Sequence, residues 1–144
     1  MCIRDSLNSP PDFVDIALLP ANADRDMAYP KGFAAEQQKC CPDLAPLDLS
    51  VPPSRALELV QEIASDSGWE IISVDSDSGR LEATETTPIF GFKDDVVIRV
   101  RPSGTSGSRV DVRSKSRDGR SDLGANSVRI RALQAMLRDR VGSD

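Results

Sequence analysis

The chain has 144 residues, a formal charge of −5 from 18 Lys/Arg against 23 Asp/Glu, three cysteines and no histidine. That length suits one domain with a core of its own, while an apolar fraction of 39% with 4% aromatics implies that part of the chain is extended. The missing histidine excludes a Cys/His nucleophile pair, and no four-ligand spacing for zinc is present.

The opening "MCIRDS" reads as the translation of a sequencing-library adapter. Residues 1–6 are therefore expected to be foreign to the gene, with its true 5′ end lost. Residues 7–43 form an expected extended, proline-rich arm; eight of the ten prolines fall between residues 7 and 53. Within it "KGFAAEQQK" has room for two helical turns, and Cys40 and Cys41 read as small, partly buried loop residues. Tyr29 is a candidate anchor of the arm. A single domain is expected over 44–141, opening with an edge strand at Leu47–Val51.

"PPSRALELVQEIASDSGW" predicts a helix. Pro52 and Pro53 suit its first turn, Ala56, Leu59, Val60 and Ile63 form an apolar stripe, and Gly68 is placed for a left-handed cap. Four strands follow: "WEIISV" joined to "RLEATETT" through "DSDSG", and "DDVVIRV" joined to "SRVDVRSKS" through "RPSGTSG". The apolar "PIFGF" between the two hairpins is expected to fold back on the sheet. Alternation puts Trp69, Ile71, Leu81, Ala83, Val96, Ile98, Val100, Val110 and Val112 on one face. Glu70, Glu82, Thr84, Arg99, Arg101, Asp111 and Arg113 take the other.

The last element, "SDLGANSVRIRALQAMLRDR", predicts a helix with Ser121 as N-cap, Asp122 in its first turn and Gly142 as its stop. Leu123, Ile130, Leu133 and Leu137 make its buried stripe, with Asn126 lying on it as a hydrogen-bonded structural residue. The resulting fold class is α+β: an antiparallel sheet of four to five strands with two helices packed on one face, in a helix-grip-like order of strand, helix, four strands, helix.

Charge is divided unevenly. Residues 1–98 hold seven Lys/Arg against eighteen Asp/Glu, and residues 99–144 hold eleven against five. Opposite signs on two parts of one domain favour internal pairing. With Arg101 near Arg109, Arg99 faces Asp111; with a short middle loop, Glu82 faces Arg99. Such pairs contribute about 0.2–1 kcal/mol each. Asp94 and Asp95 complete the ion-pair candidates, and Glu85, on the apolar side, calls for an arginine partner.

The strand-to-helix corner offers a rival reading. Arg113, Arg117, Arg120, Ser121, Asp122, Asn126 and Arg129 surround the expected N-terminus of the last helix, a geometry able to hold an anion or a lipid headgroup. Internal ties from Arg113 or Arg117 to Asp94, Asp95 or Asp122 are the leading alternative. Nucleic acid is not expected of an acidic chain lacking interleaved aromatics. A two-carboxylate hydrolase ranks last, because Asp94 and Asp95 point to opposite faces of a strand. No cofactor or metal is called for.

The segments "PDLAPL", "GRLEAT", "GFKDDVVIRV" and "DVRSKSRDGRSDLGANSVRIR" resemble the bacterial domain of unknown function family 1499. The resemblance spans about Leu44–Leu137, and "NSPPDF" extends it towards Asn8. It implies a membrane-attached or envelope protein whose anchor or secretory signal precedes the domain, while the portion in hand is soluble. It carries over no catalytic residue; "KCCPDLAPL" departs from it by placing Cys41 where an aromatic residue is expected. Residues and resemblance together imply a non-catalytic binding or assembly domain, its partner a protein or an anionic headgroup.

Overall fold

Alternating apolar residues in four of its strands let one sheet organise the whole chain. The computed structural model describes residues 2–5, 10–29, 33–117 and 124–143. Strands β1 (Cys2–Arg4), β2 (Leu47–Leu49), β3 (Glu70–Asp75), β4 (Arg80–Thr86), β5 (Lys93–Ser103) and β6 (Gly107–Ser116) form a single antiparallel sheet ordered β1-β6-β5-β4-β3. β2 also pairs with β6. β1 lies against residues 113–115 and β2 against residues 108–110, so the two share one edge end to end. The sheet thus has six strands rather than four or five, because the segment expected to be foreign supplies β1.

Helices α2 (Pro53–Asp66) and α3 (Ala125–Ser143) cover the apolar face; a short α1 (Phe33–Cys40) precedes β2. Leu59, Val60 and Ile63 of α2 and Ile130, Leu133 and Leu137 of α3 close over Leu81, Ala83, Val96, Ile98, Val110 and Val112, with Trp69 at the margin. Full burial of such side chains stabilises by about 1.5–3 kcal/mol each. Pro53 sits in the first turn of α2, and Gly68 follows that helix with φ +77°. α3 runs through Gly142 instead of stopping there. Its first described helical residue is Ala125. Ser121, Asp122 and Leu123, expected to begin it, lie outside the described residues, as does Arg120.

The second face of the sheet is covered by the arm. Phe13 and Ile16 pack on Val97, with Ala17, Leu19, Met27 and Ile72 around them. The second face is thus covered over part of its area: Glu82, Thr84, Asp95, Asp111 and Arg113 are buried, Arg99 and Arg101 are part-exposed, and Glu70 is exposed. Cys40 ends α1 in solvent, Cys41 is buried near Leu44, and the two form a disulfide between adjacent residues.

One expectation fails outright. The loop "PIFGF" does not fold back: Ile89 is 86% exposed, Phe90 73% and Phe92 46%. Its backbone is closed on itself by bonds from the Thr87 N–H to the Phe92 carbonyl (2.8 Å) and from the Gly91 N–H to the Thr87 carbonyl (3.1 Å). The apolar face is already filled by the two helices, leaving no space for the loop.

Candidate functional site

Groups of buried charge occupy the second face and the corner. The first centres on Glu82, wholly buried on β4. The arm turns at residues 13–18 so that consecutive backbone N–H groups point at the carboxylate. Val14 donates to Oε1 at 2.7 Å, Asp15 to Oε2 at 2.8 Å and Ile16 to Oε1 at 3.4 Å. Ser73 Oγ lies 3.3 Å away, and the Arg80 guanidinium 3.6 Å. Successive N–H groups in such a turn form an anion-binding concavity. Here the anion is the protein's own side chain.

The register explains why Glu82 serves the arm rather than Arg99. β4 and β5 pair with Arg80 opposite Arg99 and Glu82 opposite Val97. The expected Glu82–Arg99 juxtaposition is off by two residues, because the connection is centred between Ile89 and Phe90, one residue earlier than that pairing requires. The other half of that reading matches: Arg99 faces Asp111, and Arg101 faces Arg109. Arg99 and Arg101 both reach Asp111 Oδ2, at 2.9 and 2.8 Å.

The second group is Asp95, 1% exposed. Arg117 grips it through Nη2 at 2.7 Å and Nε at 2.9 Å, and Thr84 Oγ1 and Asn22 Nδ2 supply two more bonds at 3.0 and 3.1 Å. Asn22 belongs to the arm, so this carboxylate also fastens arm to sheet. The third group joins α3 to the sheet end. Arg129 binds Asp94 at 2.7 Å and also pairs with Glu85. Its Nη1 donates to Asn126 Oδ1 and Ser114 Oγ, both at 2.9 Å. Asn126, fully buried, donates to Ser116 Oγ and accepts from Ser114 Oγ. Paired and hydrogen-bonded in this way, buried charges avoid the large cost of desolvation.

Arg113 is fully buried and reaches backbone: it donates to the carbonyls of Met27 (2.6 Å) and Pro11 (3.4 Å). Its guanidinium lies 4.7 Å from the Phe13 ring centre and 5.7 Å from that of Tyr29, over which Arg4 also lies, at 3.6 Å. These are cation–π distances.

Of the corner residues expected to converge, Arg117, Asn126 and Arg129 are brought to the end of the sheet, and Arg113 is turned beneath the arm. Several participants carried no signal in the sequence, being single polar residues without pattern: Asn22, Gln37, Gln134 and above all Asp5. Asp5 is 1% exposed, accepts from the Val112 N–H at 2.8 Å and from Gln134 Nε2 at 3.1 Å, and is pushed up to about 8, chiefly by burial and further by Asp111. At the surface, Arg131 lowers Asp43 to about 2 and Arg109 lowers Asp48.

Among the described residues no group of three or more Cys, Asp or Glu side chains is arranged to hold a metal, and no helix is long and apolar enough to cross a membrane. A cleft of about 390 Å³ lies between the 87–88 segment and α3, with Trp69, Glu85, Val128 and Arg129 in its walls.

The crystal structure of TTHA0849 from Thermus thermophilus is similar to this chain, with 14% identity and a TM-score of 0.48, over 69% of this chain and 95% of that one. No curated protein matches. The profile of one family, described as a protein of unknown function (DUF1499), matches residues 3–137, a span that takes in the arm, almost all of the sheet, α2 and most of α3; the chain belongs to the DUF1499 family.

Proposed function

We propose that this domain is a non-catalytic binding or assembly module of a membrane-attached envelope protein, docking through the end of the sheet that carries the β4–β5 loop. One observation carries the reading: Ile89, Phe90 and Phe92 stand in solvent while the ionisable groups around them hold one another. Asp94, Asp95 and Glu85 are each bound by an arginine of the same chain. A carboxylate committed to a buried guanidinium makes a poor general base, and an external anion at Arg117 or Arg129 has to displace one. Exposed apolar side chains, by contrast, gain free energy only by being covered.

The test is co-sedimentation with native bacterial envelope vesicles, alongside a turnover screen on phosphoester, glycoside and acyl-ester substrates. The reading expects the wild-type chain to pellet with the vesicles, the Ile89→Ser/Phe90→Ser variant to stay in solution with its melting temperature unchanged, and no turnover. Turnover abolished by Asp94→Asn or Asp95→Asn contradicts it.

A further inference from the structure

We infer that the β4–β5 loop is a membrane-interface wedge, whose Ile89, Phe90 and Phe92 enter the headgroup region of an anionic bilayer. The inference rests on the docking reading above and names the surface that is docked.

The shape of the loop comes first. Ile89, Phe90 and Phe92 are exposed, and a Cβ placed on Gly91 would meet nothing within 4 Å. A stable protein–protein contact recruits about 20–30 residues a side, and a six-residue loop with three apolar side chains falls well short of that. A bilayer needs no complementary partner surface. It accepts a small apolar tip to a depth of about 5–10 Å.

The tip is also held in shape before any contact. Gly91 takes a left-handed φ of +64°, which turns the chain sharply between the two phenylalanines. Thr87 fastens both ends of the turn: beyond its two backbone bonds, its Oγ1 accepts from the Phe92 N–H at 2.9 Å. The Phe90 and Phe92 rings stack with centres 5.3 Å apart. An ordered aromatic pair exposed to water loses little conformational entropy on insertion.

Charge at this end suits an anionic surface. β5 starts and β6 ends here, since Asp94 pairs with Ser116 and Asp95 with Lys115. Lys93 follows Phe92 directly and is exposed. The long stem of a lysine lets its ammonium reach phosphates while the adjacent ring inserts. The acidic groups at the same end, Glu85, Asp94 and Asp95, are gripped by Arg129 and Arg117. On α3, Val128 is 61% exposed and shares a cleft with Thr87 and Pro88, so it extends the apolar rim.

The experiment is flotation of the full chain with vesicles of phosphatidylcholine alone and of phosphatidylcholine mixed with phosphatidylglycerol. Wild-type protein is expected to float with the anionic vesicles. Ile89→Ser/Phe90→Ser is expected to cut the partition coefficient about tenfold or more, and Lys93→Gln to weaken binding to the anionic vesicles alone. A Phe90→Trp variant is expected to be quenched by lipids brominated on their acyl chains. Equal flotation of wild type and the double variant overturns the inference. So does self-association in sedimentation velocity that the double variant abolishes, which assigns the tip to a second copy. Pelleting with native envelope vesicles without flotation on pure lipid overturns the wedge and leaves the docking reading standing; failure on both surfaces removes both.

Discussion

Glu82 holds Asp15 across 67 residues of sequence: the buried carboxylate on β4 accepts the Asp15 backbone N–H at 2.8 Å and, through its other oxygen, that of Val14 at 2.7 Å. A strand residue thereby does for the arm what a cap does for a helix. Glu82→Gln keeps the shape but turns an NH2 group towards one of these donors. The expected loss is about 2–3 kcal/mol, because a buried donor is left unmade. The arm should loosen first, so trypsin is expected to cut after the exposed Arg25 several-fold faster than in wild type, while the helices persist by circular dichroism.

Two glycines of the same left-handed conformation should respond differently to alanine. Gly79 has φ +69°, and a Cβ there would lie 2.2 Å from the Val100 carbonyl oxygen; Gly91 has φ +64° in open space. The backbone penalty alone is about 1–2 kcal/mol. Gly91→Ala should cost about that much. Gly79→Ala adds a backbone clash between β4 and β5 and should cost about 3 kcal/mol or more. Chemical denaturation of the two variants side by side measures the difference.

Asp5 makes stability fall as pH rises. Its ordinary value of 3.8 is raised to about 8 in the folded chain. Below pH 3.8 both states hold the proton. Between there and about pH 8 the folded state keeps a proton that the unfolded state releases, so stability declines at up to about 1.4 kcal/mol per pH unit and levels off above. Asp43, lowered to about 2 by Arg131, acts in the opposite sense only at acid pH: its contribution is present above 3.8 and lost as pH falls through 2. Melting temperature is therefore expected to drop from pH 5 to pH 8, and Asp5→Asn to flatten that slope.

The two faces of the sheet were legible because side chains alternate strictly along β4, β5 and β6, and a slip of one residue would have buried charge against the helices. The Arg99–Asp111 pair followed from the short β5–β6 turn. The Glu82 partnership did not, since it depends on where the β4–β5 connection is centred, which no pattern reveals. The loop at 88–92 misled because an apolar run reads as core wherever it falls; exposure is decided by whether space remains, and α2 and α3 had taken it. The arm hid its packing for a related reason. Phe13, Ile16 and Met27 follow no helical or strand period, so nothing in their spacing announces the sheet face they cover. Residues 1–6 read as foreign from their likeness to an adapter, a signal that says nothing of packing; Arg4 and Asp5 are buried against β6 and α1.

Arg117 and Arg129, beside the described start of α3, serve the chain's own carboxylates. The most direct measurement of this is the thermal melting of the full chain and of Arg117→Gln, each with and without phosphate. The account predicts that the variant melts clearly lower, since removing one partner of a buried pair costs about 3–5 kcal/mol, and that phosphate shifts neither protein. Wild type stabilised by phosphate, with a variant that melts at or above it and ignores the anion, would contradict the claim.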